Sequence, residues 1–160
     1  MSETTRDTTR DTTRDTTRET PREATPKPAA TPRAVMGLYD APMWESIRAH
    51  RLSMQRCGAC ATLRYPPAPV CPTCLAEEAN WVPVQGGGEI LSWVIFHRGY
   101  LPAYPPPYNV ITVRLDEGPI MVSNLEGPEP EGTWIGQRVA LTYVTMPDGV
   151  VLPRFRLERP

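Results

Sequence analysis

The sequence predicts a mainly β protein: a short helix, a ribbon closed by four cysteines, then a small five-stranded barrel. Three observations carry this. The cysteines form two C-x-x-C pairs, Cys57-Gly-Ala-Cys60 and Cys71-Pro-Thr-Cys74, with none left over. From Trp81 onward, apolar residues recur in strand-like runs separated by Gly, Pro and Asp turn signals. Up to Pro32 the chain has no aromatic residue, and Met1 is its only large apolar one.

Residues 1–34 read as a disordered, low-complexity tail. They open on a four-residue repeat of acid, Thr, Thr, Arg and continue as ATPKPAATPR. Such a segment cannot bury enough apolar surface to offset its ordering entropy. Thr is a poor helix former, and no apolar stripe supports a helix. Up to Pro32, six basic residues (Arg6, Arg10, Arg14, Arg18, Arg22, Lys27) match six acidic ones (Glu3, Asp7, Asp11, Asp15, Glu19, Glu23), so this stretch is a neutral polyampholyte. Of 17 basic and 18 acidic residues in the chain, 11 and 12 remain for the folded part. A protein that neutralises many phosphates needs a positive face, which this balance does not supply. No apolar run approaches the roughly 20 residues that span a bilayer. The chain opens with no positively charged, apolar-cored signal segment, and the expectation is a cytoplasmic protein without membrane contact.

Residues 35–56 hold the helix and a lead-in strand. Ala41 to Ala49 can form a short helix, with Asp40 as N-cap and Pro42 in its first turn. Met43 and Ile47 share one face, and Trp44 and Arg48 lie beside them. So short a helix must pack on something. Arg51 to Arg56 then alternates with period two as a strand.

Residues 57–82 read as a zinc ribbon. Two turns place Cys57, Cys60, Cys71 and Cys74 around one centre, each sulfur about 2.3 Å from the ion. Leu63 and Tyr65 return between the turns. Disulfides are disfavoured because nothing points to an oxidising compartment. Zinc is expected ahead of iron, as one structural Zn2+, because four protein ligands leave no open position for substrate. A module of about 30 to 40 residues has too little core of its own, so the metal supplies much of its folding free energy.

Residues 83–160 read as the barrel. Its strands are expected at Glu89–His97, central and apolar on both faces; Asn109–Leu115, with Ile111, Val113 and Leu115 inward; Ile120–Leu125; Arg138–Met146, with Val139, Leu141 and Tyr143 on one face; and Val150–Leu157 after an Asp148-Gly149 turn. Gly86-Gly87-Gly88 is expected as a flexible joint between ribbon and barrel. Five such strands fit a small closed barrel of the OB type, although periodicity alone does not separate OB from SH3-like barrels.

No catalytic constellation emerges. His50 and His97 are isolated, every cysteine is committed to the ribbon, and Asp116-Glu117 falls in a turn, where solvated acids are the ordinary case. Three features remain for binding. Tyr100, Tyr104 and Tyr108 sit in a stiff, Pro-rich loop, either as interface anchors or folded over the barrel end. Trp44, Ile47 and Arg48 form either a partner-facing patch, the preferred reading, or a lid on the ribbon. Arg154 and Arg156 alternate away from the core, where they either contact a phosphate of coenzyme A or remain solvated.

The motifs MWESIRAHRLSMQRCGAC, YPPAPVCPTC, GGGEILSWVIFH, PPYNVITVRLDEGPIMVSNLEG and DGVVLPRFRLE, in this order, resemble one family over about residues 38–158. Its members join a helical segment, a rubredoxin-like zinc ribbon and a C-terminal OB-fold, and were long catalogued as a domain of unknown function. The resemblance implies a non-catalytic accessory subunit for a thiolase-like enzyme or an acyl-CoA hydratase in lipid or steroid metabolism, in a hetero-oligomer, with acyl-CoA contact in some members. Single-stranded nucleic-acid binding is the alternative, because ribbons and OB barrels both serve it; near-neutral charge speaks against it. Electron transfer through iron at the same thiolates is a third reading.

Overall fold

The computed structural model describes residues 29–33 and 36–158. The expectation of a disordered tail falls on residues 1–28 and 34, which lie outside the described residues, but also on residues 29–33, which are described. There it needs correction. Thr31 is only 3% exposed. Its backbone N–H and hydroxyl both donate to the Asp148 carboxylate, at 2.6 and 2.9 Å. That pairing holds the Asp148 carboxyl below its ordinary range, the Thr31 N–H being the main cause. The tail thus ends in an anchored segment that composition could not show.

Helix α1 spans Ala41–Arg48, with Pro42 in its first turn. Asp40 occupies the N-cap position without a side-chain bond to the helix; its carboxylate accepts from the Gly37 N–H instead, at 3.4 Å. Met43 and Ile47 are buried, and the helix packs on both the ribbon and the last barrel strand. Ser46 Oγ donates to the Met43 carbonyl and accepts from the Ser53 N–H, which ties the helix to the strand that follows.

Three strands make the ribbon sheet: β1 Ser53–Cys57, β2 Leu63–Arg64 and β3 Ala79–Pro83, in the antiparallel order β2-β1-β3. The predicted lead-in strand is therefore the sheet's central strand, and it starts at Ser53 rather than Arg51. Just before it, the Leu52 N–H donates to the Tyr143 hydroxyl and the Leu52 carbonyl accepts from Val84, so the chain is already bonded to the barrel. Trp81, where the strand-like texture begins and which the domain bounds place in the ribbon, pairs with Gln55 in this sheet.

The barrel strands are β4 Gly87–Phe96, β5 Tyr108–Leu115, β6 Ile120–Ser123, β7 Arg138–Thr145 and β8 Val151–Leu157, in the order β6-β5-β4-β7-β8. Closure comes from a parallel bridge between Leu125 and Phe155, flanked by Phe155 N–H to Asn124 C=O at 3.0 Å and Glu126 N–H to Phe155 C=O at 2.7 Å. First strand against fourth and third against fifth is the OB connectivity, which resolves the choice that periodicity left open. Ile111, Val113 and Leu115 point inward as predicted, and a bulge between Ile90 and Ser92 bends the long central strand β4.

The triple glycine is not a flexible joint. A Cβ on Gly86 would lie 2.5 Å from Leu141 Cβ, and one on Gly88 would lie 2.5 Å from the Arg114 carbonyl oxygen. Glu117 Oε1 accepts from the Gln85 and Gly86 N–H groups, so that turn acid is a clamp rather than a solvated one. The glycines are there because neighbouring strands cross too closely for side chains.

One apolar cluster runs through all parts. It contains Met43 and Ile47 of the helix, Leu52 and Met54 of the ribbon, and Ile90, Ile111, Val113, Leu115, Met121, Leu125, Trp134, Val139 and Phe155 of the barrel. Among the described residues, no helix is long and apolar enough to cross a membrane.

Candidate metal centre

Two knuckles of matching construction hold the cysteines. In the first, the Cys57 N–H donates to the Thr62 carbonyl and the Ala61 N–H returns to the Cys57 carbonyl, at 2.9 and 3.1 Å. In the second, the Cys71 N–H donates to the Ala76 carbonyl and the Leu75 N–H to the Cys71 carbonyl, both at 2.9 Å. The residue four places after each leading cysteine is left-handed, with φ of 61° at Ala61 and 62° at Leu75. That lets the chain fold back and leaves the knuckle N–H groups directed at the sulfurs.

The four Sγ atoms lie within 4.8 Å of one another. The Cys57–Cys74 and Cys60–Cys71 separations are each 3.6 Å. A tetrahedral centre with Zn–S bonds of about 2.3 Å has S···S edges of about 3.8 Å, so the set fits a four-coordinate metal ion. The cysteines are free thiols, and 3.6 Å is far beyond a disulfide bond. Cys57 and Cys71 are buried; Cys60 and Cys74 lie at the surface.

The sulfurs divide electrostatically. Cys57 is pulled down to about 6, chiefly by the Cys60 backbone N–H, with help from the Ala59 N–H and the Arg64 side chain. Cys71 is lowered in the same way by the Cys74 N–H. Cys74 receives the Ala76 N–H, which lowers it, but the crowding of Cys60 and Cys57 outweighs this and pushes it up to about 12. Four thiolates this close cannot all ionise alone; a dication removes the conflict.

The other predicted site residues do not gather here. Ile47 is buried in the common core, so the partner-facing reading fails for it: the helix had β8 to pack on as well as the ribbon. Trp44 and Arg48 line a groove of about 310 Å3 with Pro32, Arg33, Met36 and the β7–β8 turn. Tyr100 is 62% exposed, next to Phe96 edge-on. Tyr108 stacks on Phe96 with centroids 5.1 Å apart, and Tyr104 tilts against Tyr108 at 6.0 Å, so these two do fold over the barrel end. Arg154 is corrected as a phosphate ligand. It is mostly buried, bonded to Glu126 Oε1 at 2.6 Å, and its guanidinium lies 5.9 Å from the centre of the Tyr104 ring. Arg156 is exposed and donates to Thr142 Oγ1 at 3.1 Å. Sequence reasoning missed Arg64, an arginine buried beneath the second knuckle. A charged residue in a two-residue strand gives no signal of its own.

Known proteins match both halves. Residues 44–79 match the family model described as ChsH2, rubredoxin-like zinc ribbon domain, and residues 81–144 match that of ChsH2, C-terminal OB-fold domain. The probable enoyl-CoA hydratase alpha subunit of Thermomonospora curvata is 37% identical over 132 residues, 82% of this chain and 41% of that protein. The 3-oxo-4,17-pregnadiene-20-carboxyl-CoA hydratase alpha subunit of Mycobacterium tuberculosis is 34% identical over 105 residues, 66% of this chain and 33% of that protein. The chain thus spans well under half the length of these two curated relatives. A solved structure described as Ltp2-ChsH2(DUF35) aldolase superposes with a TM-score of 0.72 at 37% identity, covering 78% of this chain and 98% of that one. With its ribbon, its barrel and nearly the whole length of that solved chain accounted for, this chain belongs to the ChsH2 (DUF35) family of rubredoxin-like zinc-ribbon and OB-fold proteins.

Proposed function

We propose that the chain is a non-catalytic accessory subunit that binds and supports a thiolase-like acyl-CoA enzyme, with one structural zinc at Cys57, Cys60, Cys71 and Cys74. The observation that carries this reading is the likeness to nearly all of a chain in the Ltp2-ChsH2(DUF35) aldolase. The metal site supports it, because four thiolates fill a tetrahedral ion and leave no place for substrate. Tyr100, Trp44, Arg48 and Arg156 are the proposed contact residues for partner or acyl-CoA. Ile47, Arg154, Tyr104 and Tyr108 are withdrawn, since Ile47 is core, Arg154 is paired with Glu126, and the two tyrosines pack over the barrel end.

The barrel surface favours a protein over a nucleic acid. In OB folds the outer face of the second and third strands is a common oligonucleotide site. Here that face shows Val110 and Thr112 of β5 and Ile120 and Val122 of β6, with Arg114 as its cation. A phosphate backbone needs a basic track, and this face is largely apolar.

Co-expression with a thiolase-like partner tests the proposal: the two chains should co-elute on size exclusion. Separate elution with unchanged thiolase activity would sink it, and salt-sensitive binding of single strands would restore the alternative. A red, iron-loaded protein from zinc-replete cells would overturn the metal assignment.

A further inference from the structure

Arg64 is 2% exposed, yet none of its hydrogen-bond partners is a carboxylate. Its guanidinium donates to five backbone carbonyls: from Nη1 to Ala68 at 3.2 Å, Pro69 at 3.3 Å and Glu77 at 3.1 Å, and from Nη2 to Ala76 at 2.7 Å and Glu78 at 2.9 Å. The first two precede Cys71 and the other three follow Cys74, so one planar fork grips the second knuckle on both flanks. Gln55 on β1 completes the grip, because its Oε1 accepts from the Ala68 N–H at 2.9 Å while Arg64 holds the carbonyl of that residue.

A buried cation is costly unless something negative lies near it. Among the described residues Arg64 forms no ion pair; the ion pairs present are those of Arg138 and Arg154. Four thiolates around a dication carry an excess of negative charge, and Arg64 grips both flanks of the knuckle that supplies two of them.

We propose that Arg64 is the positioning residue of the metal centre: its guanidinium clamps both flanks of the Cys71–Cys74 knuckle and neutralises part of the charge of the four-thiolate set. This rests on the four-cysteine metal assignment, but not on the identity of any partner enzyme.

The test uses the full chain with R64K, which keeps the charge but loses the fork, and R64Q, which loses both. Arg56→Gln, at an exposed ribbon position, is the control. Zinc affinity is read by competition with a chromophoric chelator, and ligand geometry by the thiolate-to-metal bands of the cobalt(II) form. R64K should bind zinc about 10- to 100-fold more weakly, as loss of a supporting group outside the ligand shell typically does, with R64Q weaker still and both cobalt spectra altered. A residue that only stabilised the fold would lower the melting temperature and leave the spectrum in place. Wild-type affinity and spectrum in R64K would overturn the clamp, and equal affinities of R64K and R64Q would overturn the charge role. Should R64Q fail to fold, R64K decides.

Discussion

Ala61 and Leu75 carry the backbone cost of the two knuckles. Each is held left-handed, a conformation that costs an L-residue about 1 kcal/mol or more and that glycine adopts freely. Leu75 is also 74% exposed, so its side chain gains little from packing within this chain. Leu75→Gly is therefore expected to stabilise the metal-loaded protein, by up to about 1 kcal/mol after the entropy of glycine is discounted, read as a raised midpoint in denaturant. Nothing in the sequence marks these positions, because the usual signal for a left-handed residue is glycine itself. The cysteines were legible for the opposite reason: spacing alone dictates their geometry. Arg64 lies between these cases, a residue whose partners are all backbone groups brought together by the fold.

At the level of elements, the barrel strands were readable because inward positions alternate with outward ones and turn residues separate the runs. Strand β3 was not, since pairing with β1 is a tertiary choice that composition around Trp81 does not reveal. The ribbon sheet it completes is small, with a two-residue edge strand, and the metal must hold it together. Chelation is expected to unfold it, seen as a change in Trp81 emission. The thiol shifts give the pH dependence of reloading. Cys57, held near 6, is already ionised at neutral pH; Cys74, raised to about 12, keeps its proton until the ion displaces it. Metal binding therefore releases at least the Cys74 proton, and apparent zinc affinity should rise at least about tenfold per pH unit between roughly 6.5 and 8.5. An affinity flat across that window would contradict this ordering of the sulfurs.

Across the whole molecule, the shared core makes helix, ribbon and barrel one cooperative body despite their different sequence textures. Ile47 is the most direct test, because it joins α1 to the other two parts. Ile47→Ala should cost about 2–5 kcal/mol, with ribbon and barrel fluorescence lost in a single transition. Two separated transitions would show that the parts fold independently. The same coupling bears on the partner: a ribbon cysteine changed to Ala should weaken complex formation by disordering the platform, without removing a chemical step. The shared core was only half legible, since Met43 and Ile47 were correctly placed on one helix face while what that face covered was not.

The bond of Thr31 to Asp148 has a practical side. Asp148 lies in the β7–β8 turn, two residues from Met146, and Met146 Sδ accepts from Arg154, whose guanidinium also meets the Tyr104 ring. Thr31 is therefore seated on the turn that also buttresses Arg154 through Met146. A truncation that removes Thr31 takes both of these Asp148 bonds with it and frees the β7–β8 turn. A shortened chain for capture assays should therefore begin no later than residue 29, so that this anchor is kept.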